Sequence, residues 1–154
     1  MRYIVLDSES DGLWKEATKV HVVAWTEDGI TFNHTHDYSE MRELLCTTDT
    51  KFVAHNAIRH DLPLFNKILG TKLTYRNFVD TLALSWYLNF ERNKHGLETF
   101  GVDFDIPKPV VTDWVGLTPE DYAFRCVEDI KINWKLWVDL SRKLELLYGK
   151  PATP

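Results

Sequence analysis

The sequence predicts an α/β domain built on a mixed five-stranded sheet flanked by helices. Three observations carry that expectation. Apolar runs separated by turn residues come first, strand-like segments then alternate with helical ones, and the last long segment repeats apolar residues at three- and four-residue steps. Tyr3 to Leu6 reads as a buried strand. "KVHVVAWTEDGITFNHTH" supplies two more strands, with Glu27-Asp28-Gly29 as the turn of a hairpin. "SEMRELL" has helical spacing and Ser39 placed to cap it. "KFVAHN" is a further short strand, and "HDLPLFNKILG" a helix stopped at Gly70. "NFVDTLALSWYL" is a strand end running into a helix capped near Asp80 or Thr81, followed by a short helical turn at "HGLETFG". In "LTPED", Thr118 caps, Pro119 suits the first turn, and Glu120 and Asp121 favour the positive end of the dipole. Tyr122, Cys126, Ile130, Trp134, Trp137, Leu140 and Leu144 then mark one face of a long amphipathic helix.

A chain of 154 residues, 44% hydrophobic and 27% charged, suits one domain with a real core. We expect that domain over residues 1–148 and a flexible tail over 149–154. No apolar run is long enough to span a bilayer, and the N-terminus lacks a basic region followed by a cleavable apolar stretch. The expectation is a cytoplasmic protein without a membrane partner. Cys46 and Cys126 lie far apart in no metal-type spacing and read as reduced core thiols. The net charge of −5 argues against tight nonspecific binding to nucleic acid, but not against an enzyme whose negative charge gathers around cations.

The chemistry starts at "YIVLDSESDGL". Alternate residues of a strand share a face, so Asp7 and Glu9 point the same way if the strand continues through them. Two carboxylates held together repel, and burial raises the cost, so a cation is expected between them. Asp61 follows another strand and opens a helix, and Asp129 lies on or beside the apolar face of the terminal helix. Taken singly, Asp61 also suits a plain helix N-terminus and Asp129 a salt-bridged surface position. Four acids from four elements meeting at one sheet edge would suit hard divalent cations such as Mg²⁺. Two such ions about 3.5–4 Å apart stabilise both oxygens of an in-line phosphoryl displacement.

These segments resemble the DEDD 3′–5′ exonucleases, in particular the proofreading exonuclease domain of family A DNA polymerases, with phage replicative polymerases the nearest likeness. "DSESDGL" resembles the first motif, "FVAHNAIRHDLPLF" the second, and "RCVEDIKINWKLW" the third, while "VDTLALS" and "HGLETFG" are similar to two intermediate segments. The resemblance covers nearly the whole chain in the right order. It implies a ribonuclease-H-like fold and hydrolysis of terminal phosphodiesters that releases nucleoside 5′-monophosphates from single-stranded or frayed DNA ends. It further implies that Asp7, Glu9, Asp61 and Asp129 hold two divalent ions, Mg²⁺ or Mn²⁺. The main chain near Ser10 would face the terminal 3′-hydroxyl, Leu13 would wedge against the terminal base, and Asn56 would touch the substrate strand. Read locally, Leu13 also fits a core position and Asn56 a turn, Asp80 is a helix cap, and His95 is structural.

The third motif departs from the pattern. The family carries a tyrosine four residues before the last aspartate, or a histidine five before it; this chain has Arg125 and Phe124 there. Arginine cannot accept the proton of an attacking water, since its pKa exceeds ~12. Arg125 then either contacts a substrate phosphate or forms a salt bridge to a clustered acid. Tyr122 lies on roughly the same face, but about 10 Å of rise separates it from Asp129. His60 is a second candidate assistant, pointing differently from its neighbour Asp61. The leading expectation is a slow metal-dependent exonuclease on single-stranded DNA 3′ ends, either a stand-alone enzyme with a separately encoded DNA polymerase as a partner or an excised domain, with the host cytoplasm as its place if phage-encoded. The alternatives are an exoribonuclease with the same carboxylates, and a non-catalytic module that binds a polymerase or a DNA end.

Overall fold

The computed structural model describes residues 1–149. Strand β1 (Arg2–Ser10) lies at the centre of a five-stranded sheet. On one side it pairs antiparallel with β2 (Val20–Thr26), which carries the short edge strand β3 (Asn33–Thr35). On the other side β4 (Thr50–Ala54) runs parallel to it and β5 (Phe78–Asp80) parallel to β4, giving the order β3-β2-β1-β4-β5. This mixed five-stranded α/β sheet is the ribonuclease-H-like arrangement that the motifs implied.

Both faces of β1 are covered, which is why its sequence is a continuous apolar run rather than an alternation. Ile4 and Leu6 face helices α1 (Tyr38–Leu45) and α2 (Asp61–Leu69), packing with Met41, Leu45, Leu64 and Phe65. Val5 faces the other way, with Val22, Ala24 and Val53, onto Cys126, Ile130 and Trp137 of α5 (Pro119–Tyr148). Helices α3 (Thr81–Leu88) and α4 (Leu97–Asp103) flank α5 through a third cluster that includes Leu97, Phe100, Ile132 and Leu136. Each fully buried aliphatic side chain contributes about 1.5–3 kcal/mol. The parity of β1 therefore decides the site: odd residues look at α5, even residues at α2.

The element order follows the sequence expectation, with local differences. β1 continues past Leu6 to Ser10, because β2 pairs with it as far as Val20 opposite Ser10, across a register shift between Glu9 and Ser10. Helix α1 is capped by Asp37, whose carboxylate accepts the Glu40 N–H, and not by Ser39, which falls inside the helix. Cys46 sits exposed just past α1, so only Cys126 is a core thiol; both are free. Gly70 and Gly149 end α2 and α5 in the left-handed conformation, where a side chain is strained. Thr118 caps α5 and forms a reciprocal pair with Asp121. Of the tail expected over 149–154, residues 150–154 lie outside the described residues.

Candidate active site

Strand β1 remains extended through its acidic end, so Asp7 and Glu9 both follow Val5 onto the α5 face. There they meet Asp129, three residues past Cys126 on the buried side of α5. One carboxylate oxygen from each of Asp7, Glu9 and Asp129 lies within 4.8 Å of the others. Burial, then the charges of Asp129, Asp61 and Glu9, push the Asp7 carboxyl well above the ordinary carboxylate range. Burial also raises Glu9, against the opposing pull of Arg125, and raises Asp129 against the pull of Lys108. The Cys126 thiol donates to Asp7 Oδ2 at 3.6 Å. Asp129 Oδ1 is buried with no hydrogen-bond partner among the described residues. An unpaired buried acceptor costs about 1–3 kcal/mol, more when charged. Three converging carboxylates, one of them carrying an orphaned oxygen, fit a divalent cation of the Mg²⁺ class.

Asp61 is not within that triplet. Ser8, the even residue between Asp7 and Glu9, faces α2, and its hydroxyl donates to Asp61 Oδ1 at 2.7 Å. Asp61 is buried, and desolvation lifts its pKa to about 7 despite that bond. Its charge still reaches Asp7, so it borders the cluster from the other face of the strand.

Two cations enter the cluster. Arg125 Nε lies 3.8 Å from Glu9 Oε1, the guanidinium stacks over Trp114 at 4.6 Å, and Nη1 donates to the Pro109 carbonyl at 3.4 Å. The salt-bridge reading of Arg125 is thus the one seen here. Lys108 Nζ lies 3.2 Å from Asp129 Oδ2. Sequence reasoning missed Lys108, Ser8 and Trp114. Lys108 and Trp114 stand in an irregular stretch where no periodicity gives direction, and the only signal for Ser8 was its place between the two acids.

Three of the residues expected at the site from the sequence share one cleft. Leu13, Asn56 and His60, with Trp14 and Arg59, line an open cleft of about 440 Å³. Leu13 is 73% exposed and so is no core residue. Asn56 takes a left-handed backbone (φ 65°), with its N–H given to Asp80 and its carbonyl accepting from His60, so the turn reading holds for its main chain. Asp80 caps α3 through the Leu82 and Ala83 N–H groups and also accepts from Ile58. Burial pulls the His60 imidazole below its ordinary pKa. Ser10 donates its hydroxyl to the Gly12 carbonyl at 2.7 Å, shaping the exit from β1. His95 is buried, bonded to Ser85 and the Arg92 carbonyl, a structural role. Tyr122 stacks on His21 at 4.0 Å in a separate cleft of about 680 Å³, away from the carboxylates.

Among the described residues, no helix is long and apolar enough to cross a membrane. No protein-family model matches the chain, and no curated protein does. Solved structures do. Brucella melitensis NrnC is similar at 19% identity and a TM-score of 0.75, covering 95% of this chain and 75% of that one. NrnC with bound Mg²⁺ is similar at 18% identity and 0.74, over 95% and 75%. NrnC bound to pGG is similar at 17% identity and 0.75, over 95% and 74%. At these identities the likeness is one of fold.

Proposed function

We propose that the chain is a divalent-metal-dependent 3′–5′ exonuclease of the DEDD type, acting on single-stranded ends and releasing nucleoside 5′-monophosphates. The observation that carries this reading is the meeting of Asp7, Glu9 and Asp129 oxygens within 4.8 Å at the end of the central strand, with a buried Asp129 oxygen left unpaired among the described residues. Asp7, Glu9 and Asp129 would hold one ion, and Asp7 with Asp61 a second. Bound Mg²⁺ or Mn²⁺ supplies Lewis-acid activation of water and phosphate. The chain's own residues position the strand. Leu13 presses on the terminal base in the cleft shared with Asn56 and His60, and the Asn56 side chain meets the strand. Arg125 offers positive charge beside Glu9 but takes no proton.

RNA is favoured over the DNA ends implied by the polymerase resemblance, on the support of a neighbour of the same fold that is bound to pGG. Contacts to the sugar 2′-OH would make that choice. The test is digestion of matched 5′-labelled RNA and DNA oligonucleotides with Mg²⁺, Mn²⁺ or chelator. The expected outcome is a ladder shortening from the 3′ end, faster on RNA, and lost in Asp7→Asn and Asp129→Asn. Nucleotide release untouched by Asp7→Asn overturns the reading. Faster cutting of DNA would restore single-stranded DNA ends as the substrate and a separately encoded polymerase as the partner to seek.

One observation favours a second reading, a non-catalytic module. Lys108 and Arg125 already place two positive charges against Asp129 and Glu9. Calorimetric metal binding with no product on either oligonucleotide supports the module.

A further inference from the structure

We propose that Lys108 is a substrate-phosphate ligand of this site, held on Asp129 until a divalent cation displaces it. This rests on the nuclease reading above. Lys108 stands in the irregular stretch between α4 and α5, flanked by Pro107 and Pro109. Proline restricts its own φ and pushes the residue before it toward extended backbone, so the main chain here is stiff while the four-carbon side chain is not. That side chain brings an ammonium 3.2 Å from Asp129 Oδ2, in a cluster whose hard oxygens fit a metal ion.

The two cations of the site differ in freedom. Arg125 is 12% exposed, and Trp114, the Pro109 carbonyl and Glu9 hold it. Lys108 is 30% exposed, and Asp129 is its one ion-pair partner among the described residues. A divalent cation on Asp129 competes for the charge of the same carboxylate and repels the ammonium. The released ammonium is a compact point charge beside the place where the substrate's phosphate must lie, and phosphate is the anion such a charge takes up. Lys108 therefore competes with metal when substrate is absent and assists binding when it is present. Arg125 keeps its structural place in both.

The test compares Lys108→Met with the wild-type chain and with Lys108→Arg, after melting curves establish that each variant is folded. Calorimetric titration with Mn²⁺ alone reads the competition. Anisotropy of a 5′-fluorescein RNA pentamer in Ca²⁺, over a range of salt, reads the phosphate contact. In Lys108→Met, Mn²⁺ should bind about tenfold tighter and the RNA about tenfold weaker, the size expected for a charged hydrogen bond. The salt slope should fall by about 0.7, the value of one phosphate contact on a single strand. Lys108→Arg should keep the RNA affinity within a few-fold. Unchanged Mn²⁺ affinity, an unchanged salt slope, or no RNA binding by the wild-type chain overturns the proposal. A wild-type chain that binds Mn²⁺ and RNA but releases no nucleotide overturns the nuclease reading alone, since both readouts here are binding.

Discussion

Arg125 lies one helical turn before Asp129, where the resemblance to the DEDD pattern implies a tyrosine. Arginine has no acceptor to serve as a base, and its guanidinium is held by Trp114 and the Pro109 carbonyl near Glu9, so it does not swing freely. Positioned acid–base help is worth typically ~10²–10⁴-fold. Arg125→Tyr is therefore expected to raise the single-turnover rate by about tenfold or more, less than the full factor because the Trp114 stack is lost too. An unchanged rate would show that the missing tyrosine is not what limits hydrolysis. The same scale explains Asp61. Asp61 opens α2 and accepts the Ser8 hydroxyl there, apart from the triplet.

Among the elements, β1 and the turn after β4 do most to build the site. β1 places two acids on one face because its extended geometry runs to Ser10, and the register shift after Glu9 turns the chain toward Leu13 and the cleft. The turn after β4 depends on Asp80. Its carboxylate accepts from Asn56 and Ile58 on one element and from Leu82 and Ala83 on another, tying the left-handed Asn56 to the start of α3. Loss of a cap costs about 1 kcal/mol, and each stranded donor about 1–3 kcal/mol if it stays dry. Asp80→Ala should thus lower stability by about 2–4 kcal/mol in chemical denaturation. It should also raise KM for oligonucleotides more than it lowers kcat, since the Asn56 cleft is loosened while the carboxylates stay in place. Equal effects on both would place Asp80 closer to the chemistry than its contacts indicate.

At the scale of the molecule, the buried acids set how stability depends on pH. Asp7, Glu9, Asp61 and Asp129 are all raised, chiefly by desolvation, with Asp61 near 7. Groups whose folded pKa lies above the unfolded value stabilise fully below the unfolded value, and that stability is lost as pH rises through the folded one. Asp11, lowered to about 2 by its bond from Thr18, works in the opposite sense only well below pH 5. His55, lowered to about 4 by burial, and His21 and His60, also lowered by burial, gain stability as pH rises through the same window and offset part of what the four acids lose. In chelator, the melting temperature should fall by several degrees from pH 5 to pH 8. Mg²⁺ should restore it most at pH 8, because an ion that binds only the folded, ionised acids stabilises by mass action. A flat metal-free profile would contradict the burial of the cluster.

Much of the fold was legible because its signals are local. Thr118 and Pro119 start α5, Gly70 stops α2, Asp80 caps α3, and the Glu-Asp-Gly turn makes a hairpin, each within a few residues of the element it governs. The placing of Asp7 beside Glu9 was legible for the same reason, as the period of two is a property of the strand itself. Ser39 misled because Asp37, two residues earlier, competes for the same role. The contacts of Arg125, the arrival of Lys108 and the holding of Asp61 by Ser8 join residues far apart along the chain. By itself, then, the sequence determined the elements, their order and the acids they carry. Only the tertiary structure decided which charges face those acids, because that depends on how separate elements pack and not on the repeat of any one of them.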